Sequence, residues 1–385
     1  MIPAALALAA LTSIHFPVTT HDAQAQALVD RGLFLYYAYD GGDSAAAFAA
    51  AARRDPQLAM ARWGEALAAG PDLNTPITAE RFAAAQTAAQ AAVALESGAD
   101  ADERAYVDAM ALRYRGTWAD WASDDVAYLA AMSTLSERGS SDAKMLTAEG
   151  LLERGGLGWE DAQLGSADSR QALALVDAVL AADPGNLMAN HLCVHLYDRV
   201  PDRAPAQTCA QRLDAAAFPP QAEHLAHMPA HYWIETGNYA AAVASSERAY
   251  RLFLRWQHLA DRDPEHDRYL AHDVYVGYSA AMMLGNYPNA RIWAARMTAA
   301  FESPYDALTA LRFGHFAEVA ALPADSTPAG LAVRGYAGLM LGDAARAHAI
   351  AKSLHPTASS GYIVELFLAR LAEADGRFAD ATGWI

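Results

Sequence analysis

Basic residues are scarce in this chain: 28 Lys and Arg stand against 45 Asp and Glu, a net charge of −17 over 385 residues. That sign argues against nucleic acid or an anionic membrane surface as partner, because both attract basic patches. Cysteine is scarcer still. Cys193 and Cys209 form no CxxC, so thiolate zinc sites and thioredoxin-type redox motifs are not indicated. Their spacing leaves a disulfide between them undecided, and neither fixes the compartment. The chain lacks a Walker A loop, a dinucleotide glycine motif and a GxSxG elbow, so no nucleotide cofactor is expected. β-branched runs are also few, whereas 54% of the residues are apolar and Ala dominates them. That balance favours helices over sheets.

Long apolar runs are missing too. Met1 to Ser13 is apolar and small, enough for a short signal-peptide core and too short to span a bilayer. It has no Lys or Arg in its n-region. Residues 1–13 are therefore read as a signal peptide or an N-terminal tail, and export and a cytoplasmic location both stay open. No other segment reads as a membrane span.

What the chain does have is an internal repeat. A Gly-x-aromatic-x-x-Ala string starts at Gly237, Gly285 and Gly376, with degenerate copies at Gly314 and Gly342. The step from Gly342 to Gly376 equals the 34-residue period of the tetratricopeptide repeat. Gly is expected to end one helix in a tight turn. The aromatic should pack between helices, and the small Ala should let the next helix come close. A second string, Asp-Pro-x3-Met-Ala, occurs at Asp55 and Asp183, and reads as the mouth of a helix with Asp as cap. In this alignment His191 takes the place of Trp63. Tyr106 to Tyr114 and Val126 to Leu135 carry helical spacing. Gly155 to Ser169 reads as a long loop and Val200 to Pro205 as a turn. The fold expected is all-α: a right-handed α-solenoid of tetratricopeptide-like helix-turn-helix repeats over 14–385, irregular in step and without an obvious polar capping helix before Ile385.

Six histidines sit at helical spacings within 184–275: His191 and His195, then His224, His227 and His231, then His272. Residues i, i+3, i+4 and i+7 share one helix face, so His191, His195 and Asp198 form one stripe. His224, His227 and His231 form another if the helix runs through Pro229. Pro disfavours that, and the helix can instead start at Pro229. His272, followed by Asp273, comes from the next repeat. A lone histidine on a helix is more often core or surface than ligand. Two stripes are harder to explain that way, because burying six rings without a metal demands a hydrogen-bond partner for each. Met228 offers a thioether but reads more readily as core. Asp198 and Glu223 are the nearest carboxylates, able to orient imidazoles or to ligate, although Glu223 is equally well a solvated helix residue. His258 and His266 lie in the charged stretch Asp261 to Arg268 and read as solvated.

Imidazoles with few thiolates suit zinc, copper, nickel or iron, and disfavour calcium or magnesium. Two sets of three suit a dinuclear copper centre, whereas two His with one Asp suit mononuclear zinc or non-haem iron. HExxH is absent, as is a paired Glu-xx-His set.

The strings His191-Leu-Cys-Val-His195-Leu-Tyr-Asp198 and Glu223-His224-Leu-Ala-His227-Met-Pro-Ala-His231 resemble a bacterial family of tetratricopeptide-repeat proteins that carries HYxIHxxD and then HxxHMPSHI. His15-Phe-Pro-Val-Thr-Thr, Gly32-Leu-Phe-Leu-Tyr-Tyr and Ala59-Met-Ala-Arg-Trp-Gly64 match it too, and the resemblance runs through about Met297. It implies a repeat fold and a shared histidine site at His191, His195, Asp198, His224, His227 and His231, and no particular reaction. The chain departs from the family at Ala38-Tyr39-Asp40, where other side chains are usual, and at Ala230, where the family has Ser.

Two functions follow as expectations. One is a repeat protein with a copper or zinc site, either catalytic or carrying metal without turnover, whose ligands are His191, His195, His224, His227, His231 and His272. The other is a scaffold that holds a peptide or protein partner in its groove.

Overall fold

The computed structural model describes residues 14–154, 165–198, 200–257, 264–301, 305–322, 326–354 and 362–383, with the side chains of 264–269 and 300–301 excepted. The readings of 1–13 and His258, the side chain of His266, and most of the loop expected at Gly155 to Ser169 lie outside them. Among the described residues the chain is all-α, with no strand. No helix there is long and apolar enough to cross a membrane.

The chain groups into two compact units, Met1–Asp273 and Val274–Ile385. The first is built from α1 (Ala23–Tyr37), α2 (Gly41–Arg54), α3 (Ala59–Ala69), α4 (Ala79–Leu95), α5 (Ala101–Arg113), α6 (Trp121–Ser136), α7 (Ser141–Arg154), α8 (Ala167–Ala182), α9 (Leu187–Tyr197), α10 (Ala206–Ala215), α11 (Glu223–His227), α12 (Pro229–Glu235), α13 (Tyr239–Gln257) and the first half of α14 (Pro264–Leu284). The rest of α14 belongs to the second unit, with α15 (Tyr287–Phe301), α16 (Tyr305–Arg312), α17 (Phe316–Ala321), α18 (Pro328–Met340), α19 (Ala344–Ser353), α20 (Tyr362–Ala374) and α21 (Phe378–Thr382). Helices pack chiefly on their neighbours in sequence, the pattern of an α-solenoid of helical repeats.

The repeated glycines do what the turn needs. Gly237, Gly285, Gly314, Gly342 and Gly376 all have φ between +74° and +86°, the left-handed conformation in which Gly costs least. The Ala of each full string, Ala242, Ala290 and Ala381, is buried. The aromatic behaves less uniformly. Tyr287 is half-buried and packs against Phe313 and His315, whereas Phe378 on α21 is 69% exposed. No described helix follows α21 to cover it.

The Asp-Pro strings act differently from expectation. Asp55 and Asp183 close the preceding helices α2 and α8, their N–H groups donating to Ala51 and Val179. Pro disfavours helical backbone at the residue before it, so each Asp ends a helix in place of capping the next. The cap of α9 is Asn186, whose side chain accepts from the N–H of Ala189.

Close helix approach rests on glycine facing an aromatic ring. A Cβ at Gly64 would lie 2.1 Å from Phe48 Cδ1, and one at Gly32 would lie 2.8 Å from the same ring. The second unit repeats the device with Gly277 against Trp293 and Gly335 against Phe367. Gly64→Ala is therefore expected to destabilise the first unit by about 1–3 kcal/mol through overpacking, with Phe48 forced off its rotamer. A thermal melt unchanged from the parent chain would contradict this.

Candidate metal centre

Helix α9 is buried along nearly its whole length, Met188 to Leu196. A helix hidden all round cannot leave its polar side chains to solvent, so His191 and His195 must find partners inside. They find each other: their Nε2 atoms are 3.1 Å apart. Trp63, at the aligned position in α3, stacks on Phe16 at 5.6 Å and fills the core. His191 is as deeply buried but presents nitrogen where Trp63 presents ring.

The second stripe does not stay together. Helix α11 stops at His227, and α12 starts at Pro229, where the missing N–H is not needed. Met228 is the joint, its side chain buried in the hydrophobic core. The break sorts the imidazoles by neighbour and not by helix. His224 joins His191 and His195, and His227 and His231 join His272 from α14. Within each group one nitrogen from every ring lies within 4.8 Å of the others. In the second, His231 Nε2 lies 3.0 Å from His227 Nε2 and 3.1 Å from His272 Nε2. Two nitrogens bound tetrahedrally to one zinc stand about 3.3 Å apart, given bonds of about 2.0–2.1 Å. These spacings are close to that. The two groups adjoin, with ring centroids 6.0 Å apart for His224 and His227 and 6.2 Å for His195 and His231.

Two carboxylates flank the groups. Asp198 ends α9 and sits 3.4 Å from His231 Nδ1, on the opposite side of the ring from the clustered Nε2. This is the relation of a carboxylate that orients a ligand. Asp198 thus serves the second group, although its own helix supplies the first. Asp273 Oδ1 lies 3.6 Å from His227 Nε2 and 3.8 Å from His224 Nδ1, between the groups. Glu223 is buried, not solvated, and lies outside both histidine groups. Asp198→Asn keeps the shape of the side chain and removes its charge. It is expected to weaken metal binding at the second group by about 10–100-fold while leaving the fold intact. Isothermal titration with zinc checks this, and unchanged affinity would count against an orienting role.

The electrostatics follow from burial. It pushes the His191 and His272 imidazoles down to about 3, and His195, His224 and His227 well below their ordinary value, with neighbouring rings adding to the effect. These rings are neutral at neutral pH, the form that ligates. Burial raises the carboxyls: Glu223 to about 8, and Asp273 well above the usual range with Glu223 adding to it.

Sequence reasoning treated Tyr39 only as a departure from the family pattern, yet it belongs to this site. Its ring centroid is 4.5 Å from that of His191, 6.4 Å from that of His195 and 5.1 Å from that of His224, on which it stacks at 17°. It follows α1 with φ +60°, the place and conformation that glycine usually takes at a helix end. For a bulky residue this conformation is strained by roughly 1–3 kcal/mol. The available signal was a helix end without glycine at its turn, even though Gly41 and Gly42 lie just beyond. Behind Tyr39, the Glu149 carboxyl on α7 is buried beside the Tyr36 and Tyr39 hydroxyls, and burial raises its pKa well above the carboxylate range. Cys193, between the two histidines of α9, is disulfide-bonded to Cys209 on α10, so neither offers a thiolate.

No protein-family model and no curated protein matches this chain. Among solved structures, a crystal structure of the P58(IPK) TPR domain aligns over 93% of this chain and 99% of that one, at 13% identity and a TM-score of 0.21. The fold described above rests on the helix order and packing of this chain alone.

Proposed function

We propose that this chain is a tetratricopeptide-like repeat protein carrying a dinuclear transition-metal centre, with copper as the first choice and zinc as the second. The observation that supports this reading is the division of six imidazoles into two adjoining groups of three. His191, His195 and His224 hold one ion, and His227, His231 and His272 hold the other. Three neutral imidazoles with no thiolate suit copper or zinc, and three protein ligands leave a position open for an exogenous ligand. Asp198, 3.4 Å from His231 Nδ1, and Asp273, 3.6 Å from His227 Nε2, stand where a carboxyl that loses its proton on metal binding would offset the charge of the ions. Paired ions can bind the two ends of one small substrate, which favours a metal-dependent enzyme over a carrier.

The test is metal content. The purified chain, reconstituted with copper or zinc and desalted, should hold two ions by mass spectrometric analysis. The paired substitutions His195→Ala and His227→Ala should leave less than one. Substoichiometric metal that ignores both substitutions would overturn the proposal.

A second reading, a scaffold for a protein partner, draws on the second unit. There a groove of about 430 Å³ is lined by Tyr278, Leu308, Leu311, Tyr336, Tyr362 and Leu366 among others, and Tyr362 is 72% exposed. Partner capture that persists in chelator and is lost with Tyr362→Asp would favour it.

A further inference from the structure

The two histidine groups differ in what surrounds them. The inner group is closed on every ring: His191 is 0%, His195 3% and His224 1% exposed. Tyr39 lies across it, in contact range of all three imidazoles and stacked flat on His224. The tyrosine is itself buried, and held in a left-handed backbone conformation that side chains rarely adopt. A strained conformation persists only where the surroundings over-determine it, and here they place a ring against a ligand set. The outer group has no such cover among the described residues. His227 is as buried as the inner rings, but His231 and His272 are only partly buried, and the ring stacked on His272 is that of His231, another member of its own group.

We infer that the two metal positions are unequal: the inner one, closed by the Tyr39 ring, retains its ion, and the outer one, at His227, His231 and His272, exchanges its ion and binds the exogenous ligand. The inference rests on the dinuclear reading above and adds the site of substrate entry to it. The physical reason is access. A metal leaves a histidine site through successive replacement of its ligands by water or by a competing donor, and a ring packed over the ligands denies those molecules a position. The ligand class that fits the outer position is a small oxygen or nitrogen donor able to complete the coordination of one ion. Tyr39 acts through the ligands it covers and is a positioning residue.

The test uses the full chain loaded with two equivalents of Co²⁺ or Cu²⁺. Release to a chromophoric chelator in rapid mixing should be biphasic, one equivalent leaving at least about tenfold faster than the other, because only one position is open to the competing ligand. His272→Ala should abolish the fast equivalent and leave the slow one. Tyr39→Gly fits the left-handed backbone and removes the cover, so it should speed the slow phase towards the fast one. Tyr39→Phe keeps the cover and should preserve two phases. Azide, as the probe ligand, should bind once per loaded chain and perturb the cobalt or copper spectrum in the parent chain but not in His272→Ala. Two equivalents leaving together from the parent chain, or azide binding that survives His272→Ala, would overturn the inequality while leaving the dinuclear reading intact. A chain that takes up no metal would overturn both. His272→Ala and Tyr39→Phe decide the matter without Tyr39→Gly, should that variant fail to fold.

Discussion

Removing both ions from the loaded chain is expected to lower its melting temperature by roughly 15–30 °C, since ligand at about a thousandfold over Kd contributes about 4 kcal/mol at each of two sites and each kcal/mol moves a unit of this size by about 2–4 °C. The effect is large because the centre joins elements far apart in the chain. His191 and His195 come from α9, His224 and His227 from α11, His231 from α12 and His272 from α14. Without metal, six clustered nitrogens must share protons among themselves, and neutral imidazole has one N–H donor and one acceptor to offer. Calorimetry in excess zinc or copper and then in chelator reads the difference directly. A shift under about 2 °C would mean that the cluster is stable as a plain hydrogen-bonded network.

The metal-free chain should also be unusually sensitive to acid. The folded His191 and His272 imidazoles titrate at about 3 against 6.5 when unfolded. A depressed histidine pKa means that the unfolded state binds protons first. The histidine contribution is therefore intact above pH 6.5 and is lost as the pH drops through 6.5 towards 3. His195, His224 and His227 shift the same way. The buried carboxyls work in the opposite sense. Glu223 titrates at about 8 and Glu153 at about 7 when folded, against 4.5 unfolded. Their contribution is present below pH 4.5 and is lost as the pH rises through 7 to 8. Between 4.5 and 6.5 the two sets oppose each other. Melting in chelator should therefore show a maximum in that range, a steep fall below pH 4.5 where the histidines act alone, and a shallower decline above 6.5. Stability that holds level from pH 6.5 down to 4 and below would contradict the burial of neutral imidazoles.

Much of this was legible in the sequence for reasons that are local. The glycines at 237, 285 and 376 announce their turns because left-handed backbone is a property of a single residue. Helix content follows from alanine and apolar spacing in the same way. The six histidines could be picked out because their spacings are helical. Their grouping could not. The stripe His224, His227 and His231 reads as one face, and the chain breaks it at Met228 and Pro229, handing one ring to α9 and two to α14. That outcome depends on how four helices pack, which spacing does not encode. The same holds for Asp198, which shares a helical face with His191 and His195 but meets His231. Tyr39 was hidden for another reason. It lies more than 150 residues before His191, and its role depends on a backbone conformation that a tyrosine gives no sign of adopting. Asp55 and Asp183 misled because Asp is a good cap in general, whereas the proline after each forces it to the far end of the preceding helix.

The division of the ligands also fixes an order of construction. On a growing chain the inner group is complete once His224 has been made, whereas the outer waits for His272 and the start of α14. The covering tyrosine is synthesised before any of them. The closed half of the centre can thus be assembled under its lid while the open half is still being made, so that the centre is built from the inside outward.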